Sequence, residues 1–128
     1  MKIGCIADTH GRHKKVKVPE CDVLVHAGDN TPAGELEMLG SFCKWFGKQR
    51  CKARVSIAGN HDRCLENELR SAAELSMRGC SHYLFDREVT ILPNGMVLIG
   101  TGGEVVLSNG VPKVGSDGSD GLRFYGTP

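Results

Sequence analysis

Long apolar runs are missing from this 128-residue chain: none approaches the roughly 18 residues needed to cross a bilayer, so no membrane-spanning helix is expected. An excess of charge of one sign is missing as well. Lys and Arg total 16 against 15 Asp and Glu, a formal net charge of +1, which argues against a chain held on nucleic acid by bulk electrostatics. The six cysteines, at 5, 21, 43, 51, 64 and 80, contain no Cys-x-x-Cys pair, so a thiolate zinc site is not expected. Enough hydrophobic residues are present to fold without disulfides, which points to reduced, mostly buried thiols in a cytoplasmic protein. Met1 to Ala7 carries one basic residue and runs straight into Asp8, so it does not read as a signal peptide. No repeat or domain boundary is visible, and the length suits a single domain spanning 1–128.

What is present is an alternation of short strands and helices. Ile3 to Ala7, Val23 to Ala27 and Val55 to Ala58 are nearly continuous apolar, β-branched runs, as expected of parallel strands buried on both faces. Thr31-Pro32 predicts a helix start, followed by a stripe of Leu36, Leu39, Cys43 and Phe46. A second helix is expected to open at Asp62, bury Leu65, Leu69 and Ala72, and stop near Gly79. That rhythm means an α/β fold. Val89 to Leu92 and Met96 to Ile99 then flank Pro93-Asn94-Gly95, a hairpin signal. Gly102 to Gly121, rich in Gly, Ser and Asp, is expected to be a flexible loop, and Leu122 to Tyr125 a last short strand.

The polar residues fall where chemistry is expected. Asp8-Thr9-His10, Gly28-Asp29-Asn30 and Gly59-Asn60-His61-Asp62 each end one of the three runs, and the carboxyl ends of parallel strands share one edge of a sheet, where ligands bind. Asp8 and His10, two apart at a strand end, can point the same way and hold one cation. Asp29 could bridge it to a second, to which Asn60 offers a neutral oxygen. Oxygen and nitrogen donors without sulfur suit Mn, Fe, Co or Zn. Gly28 and Gly59 let the backbone turn sharply, and both following helices are expected to aim their N-termini at the site. Two ions about 3.5–4 Å apart can activate a water and clamp a phosphate, with His61 placed to stabilise or protonate the leaving oxygen.

In this order and on these strands, Asp8-x-His10, Gly28-Asp29 and Gly59-Asn60-His61-Asp62 resemble the first three motifs of the calcineurin-like phosphoesterase superfamily. The wording His10-Gly-Arg-His13, Val23-Leu-Val-His-Ala-Gly-Asp29 and Phe124-Tyr-Gly-Thr-Pro128 is similar to its small metallophosphoesterase-domain subgroup, some of whose members act on phosphodiesters including cyclic nucleotides. The resemblance implies two divalent ions (Mn, Fe or Zn), with Asp8, His10 and Asp29 at one and Asp29 and Asn60 at the other. It implies His61 as the catalytic histidine beside Asp29, and a phosphate ester, possibly a nucleotide, as substrate. The family pattern continues with a Gly-His and a Gly-His-x-His motif supplying three further histidine ligands. Here only His82 follows His61, and Ser81-His82-Tyr83 fits neither motif; Pro32 stands where the family carries a further Asp. The expected architecture is therefore about half of a metallophosphoesterase α/β/β/α sandwich, incomplete at its C-terminus: a parallel β-α-β-α-β core followed by a β-hairpin. Metal-dependent phosphoesterase activity is the expectation. The alternatives are a non-catalytic metal- or phosphate-binding remnant, or a half-enzyme completed by another chain or by homodimerisation.

Other polar residues have blander readings. His26, inside a buried-looking strand, is expected to be a hydrogen-bonded core histidine, and His13 a solvated loop residue. His82 has nothing to place it near the strand ends. Arg12 to Lys17 reads as a solvated basic face, since no aromatics interleave it. Arg63, beside the metal cluster, is placed to bind phosphate or to face solvent. Gly115-x-x-Gly118-x-x-Gly121 is not a nucleotide fingerprint, and Phe42, Trp45 and Phe46 read as core.

Overall fold

Runs of Val, Ile and Ala pair as parallel strands in a computed structural model that describes residues 1–85, 87–92, 97–101, 104–107 and 122–126. The strands β1 (Ile3–Ile6), β2 (Val23–His26), β3 (Ala53–Ser56) and β4 (His82–Tyr83) lie in that order in one four-stranded sheet. Ile3 stands opposite Val23, Val23 opposite Ala53, and Val55 opposite His82. β3 thus starts earlier than its apolar run suggests. Arg54 can occupy it because its guanidinium reaches the carbonyls of Cys80 (3.0 Å) and Gln49 (3.0 Å). The central strand β2 is buried, as expected, but β1 pairs only with β2 among the described residues and leaves Ile3 and Cys5 exposed.

Both helices begin later than the sequence signals suggest. α1 spans Leu36–Phe46 rather than opening at Pro32: the Gly34 amide donates to the Thr31 hydroxyl at 2.9 Å, but only a turn forms there. The Thr31 hydroxyl and amide also donate to the Asp62 carboxylate, at 2.9 and 2.8 Å. Asp62, engaged in this way, cannot open a helix either. Arg63–Leu65 make one 3-10 turn, and α2 runs from Arg70 to Cys80, through Gly79. Leu65 is buried as expected, but Leu69 and Ala72 are exposed, and Ala73, Met77 and Cys80 carry the buried stripe. Neither helix therefore starts at a strand-end motif, and the expected pair of helix N-termini flanking those motifs is not formed.

The second sheet has the order β7-β6-β5-β8 and is antiparallel. β5 (Arg87–Ile91) and β6 (Val97–Thr101) form the expected hairpin, whose Pro93-Asn94-Gly95 turn lies outside the described residues. Within the expected 102–121 loop, Glu104–Leu107 form β7, paired with β6; residues 102, 103 and 108–121 lie outside the described residues. The last strand, β8 (Leu122–Gly126), pairs with β5.

Alternation along β2 divides the interior in two. Leu24 joins Leu39, Phe42, Phe46, Ala73 and Met77 under the helices. Val23 joins Ala53, Val55, Val89 and Ile91 between the sheets. His26 is fully buried on the helix side, with Nε2 3.1 Å from the Thr9 hydroxyl and its ring against Phe42 and Phe46. His13 departs from expectation. The 3-10 turn His13–Lys15 faces its imidazole inward, 1% exposed, against Phe42 and Trp45 and 3.2 Å from the Ser41 hydroxyl, while Arg12, Lys14 and Lys15 stay exposed. All six cysteines are free thiols; Cys43, Cys64 and Cys80 are buried, Cys21 and Cys51 half-buried, and Cys5 exposed.

Burial lowers the His26 pKa from 6.5 to about 4, because a charged imidazole there would lose its hydration. Above the unfolded value both states are neutral and no pH dependence arises. Between about 6.5 and about 4 the unfolded chain binds a proton that the folded chain does not, so stability falls as pH falls. Urea unfolding is expected to lose roughly 2–4 kcal/mol across that window, and His26→Gln to flatten much of the slope.

Candidate metal centre

Pairing between β1 and β2 continues past the strand ends, and this continuation builds the site. The amides of Asp8, His10 and Gly11 donate to the carbonyls of Gly28, Asp29 and Asn30 at 3.1, 3.0 and 3.1 Å. The two loops are thereby zipped side by side. Thr9 turns into the core toward His26, while Asp8 and His10 on either side of it remain accessible.

The backbone here is strained. Asp8, His10 and Asp29, with φ of 53°, 41° and 55°, are the non-glycine residues with left-handed backbone among the described residues. Each such conformation costs on the order of 1–3 kcal/mol and persists only where the surroundings impose it. Glycine makes the close approach possible. At Gly28 (φ +97°) a Cβ would stand 2.9 Å from the Ala58 carbonyl, and at Gly59 it would run into the Asp29 carboxylate and amide.

The donor atoms converge. One ligand atom each from His10, Asp29 and His61 lies within 4.8 Å of the others. His10 Nε2 is 3.7 Å from Asp29 Oδ2 and 3.9 Å from Asp8 Oδ1, too long for hydrogen bonds. The atoms lie close together without satisfying one another. His61 Nδ1 is 2.7 Å from the Pro32 carbonyl; a carbonyl only accepts, so Nδ1 carries the hydrogen and Nε2 presents its lone pair. An imidazole oriented by a backbone carbonyl is the arrangement in which histidine binds metals, and the mixed carboxylate and imidazole set suits a divalent transition ion. Pro32, which departs from the family pattern, thus contributes through its backbone.

Asp62 holds the centre together from beneath. Fully buried, its carboxylate accepts from the Asn30 amide (3.1 Å) and side chain (2.7 Å), the Thr31 amide and hydroxyl, and the Gly59 amide (3.0 Å). Asn30 also reaches the Ile57 carbonyl (3.2 Å), and the His61 amide donates to Asp29 Oδ1 (3.0 Å). From the sequence, Asp62 is expected only to complete a motif and to open a helix. The signal available was an acidic residue in a segment that must also turn tightly. From the sequence, Asn60, His61 and Arg63 are expected to contact the substrate and His61 to act on the leaving oxygen; the structure also brings His61 within 4.8 Å of the His10 and Asp29 donors. Asn60 and Arg63 are exposed on the same turn. His82 lies on β4 opposite Val55 and is outside the cluster.

The profile of the calcineurin-like phosphoesterases matches residues 1–111. The chain belongs to that family. All three strand-end motifs of this phosphoesterase domain fall inside the matched segment. Human metallophosphoesterase domain-containing protein 1 is 38% identical over 64 residues, 50% of this chain and 20% of that protein. A UPF0046 protein of Caenorhabditis elegans is 42% identical over 62 residues, 48% of this chain and 21% of that protein. Another from the same organism is 27% identical over 126 residues, 97% of this chain and 40% of that protein. The matches thus cover a fifth to two fifths of these relatives.

Asp62→Ala is expected to lower stability by roughly 3–5 kcal/mol in urea unfolding, because the buried Asn30 and Thr31 donors lose their acceptor. Gly59→Ala is expected to displace the Asp29 carboxylate and weaken Mn binding by at least about tenfold in isothermal titration.

Proposed function

We propose that this domain hydrolyses phosphate esters with the help of divalent metal. The observation that carries the reading is the convergence of His10, Asp29 and His61 donor atoms within 4.8 Å. Membership of a phosphoesterase family supplies the reaction class. Asp8, His10 and Asp29 are assigned to one ion, and Asp29 and Asn60 to a second, with Mn, Fe or Zn suited to the donors. When bound, such ions polarise the phosphoryl group and raise the acidity of water.

The chain's own residues do the rest. Asp29 is fixed by the His61 amide, so its carboxylate presents one orientation. The Asn60 amide group donates to a phosphoryl oxygen, and Arg63, exposed beside it, pairs with the phosphate charge. His61, anchored through Nδ1, has only Nε2 to offer; Nε2, once protonated, passes that proton to the leaving oxygen. The substrate is a phosphomonoester or phosphodiester, a nucleotide among the candidates.

Hydrolysis of an aryl phosphodiester and the matching monoester with added Mn tests this directly. Wild-type turnover that EDTA abolishes and Mn restores is expected, falling at least about 100-fold in Asp29→Asn and in His61→Ala. Turnover no greater than that of the variants at any metal concentration overturns the reading.

A further inference from the structure

The three buried thiols have no part in this chemistry, and two of them meet around Met77. Cys43 on α1 and Cys80, the last residue of α2, are neighbours across the helix interface. Met77 lies against both: its sulfur is 3.8 Å from Cys43 Sγ and its carbonyl 3.3 Å from Cys80 Sγ. The two cysteines line one cavity of about 370 Å³ together with Gly40, Lys44, Ser76 and Gly79. At Gly40 and Gly79 nothing lies within 4 Å of where a Cβ would be, so the glycines leave an opening onto the sulfurs.

We propose that Cys43 and Cys80 are an oxidisable dithiol that closes into a disulfide pinning α1 to α2. The two thiols differ in a way that assigns their roles. The Cys80 thiol is held below its ordinary pKa by the Cys43 hydrogen bond, then by the Ser81 hydroxyl and the Arg54 charge. The Cys43 thiol is pushed up, first by that same hydrogen bond and then by burial. The Arg54 guanidinium, which donates to the Cys80 carbonyl at 3.0 Å, stands beside this thiol and makes Cys80 the thiolate that attacks. With a small disulfide such as oxidised glutathione, its sulfur bonds to one sulfur of the oxidant and expels the first glutathione thiolate. Cys43 then gives up its proton and attacks Cys80 Sγ, expelling the second. One protein disulfide forms, one glutathione disulfide is reduced, and the two cysteine protons end on two glutathione thiols. The third buried thiol, Cys64, is pushed up by burial and lies outside the cavity lining.

The test is to hold the folded chain in glutathione buffers of rising oxidised fraction, block free thiols by alkylation, and map the peptides by mass spectrometry. A linked Cys43–Cys80 peptide is expected, lighter by about 2 Da than the two free peptides, reversed by dithiothreitol. In Cys43→Ser, Cys80 is expected to stop at the mixed glutathione disulfide. Wild-type Cys80 that stays alkylatable while exposed Cys5 is already glutathionylated overturns the proposal, whether or not the variant folds. So does a link that appears only in denaturant, or a wild-type Cys80 joined to another cysteine.

Discussion

A buried carboxylate must find hydrogen-bond donors or it does not stay buried and charged. Asp62 finds them in Asn30, Thr31 and Gly59, and that requirement organises the strand ends. The loop after β2 is clasped to the loop after β3. Asp29 is one residue from Asn30, and His61 precedes Asp62, so tying these anchors together also sets the distance between the chemical groups. The His61 amide on Asp29 and the His61 ring on the Pro32 carbonyl close the same joint from the other side.

The joint also explains how strain is tolerated. Left-handed Asp8, His10 and Asp29 would relax in a free loop. Here each lies in a segment whose amides or carbonyls are already committed to the neighbouring loop. Glycines at 28 and 59 allow these segments to approach at a distance that no side chain fits. The sheet and its two apolar interiors supply a rigid support, and the polar clasp at its edge converts that support into fixed donor positions.

The same clasp accounts for where the helices begin. Thr31 and Asp62 are both good helix-capping residues, and in isolation each would start a helix. Their side chains bind each other, and each also accepts a local amide, Gly34 on Thr31 and Gly59 on Asp62, in a turn that does not continue as a helix. α1 and α2 therefore start downstream, at Leu36 and Arg70, and α2 is rotated so that Ala73, Met77 and Cys80 face the core.

The sequence by itself determined the parallel strands, the helix between each of the later pairs, the hairpin, and the identity of the three strand-end clusters. Those follow from local apolar runs and from glycines and acids at their ends, and need no knowledge of partners. Only the tertiary structure decided the helix starts, the buried position of His13, the edge position of β1 among the described strands, the role of Asp62 and the meeting of Cys43 with Cys80. Each of these depends on what stands opposite a residue in space. Burial of His13 is set by Phe42 and Trp45 on α1, and the fate of Thr31 by a carboxylate from another loop. Local pattern carries the period of a strand or helix, but a hydrogen bond or a packed ring between distant segments is fixed only once the layers have come together.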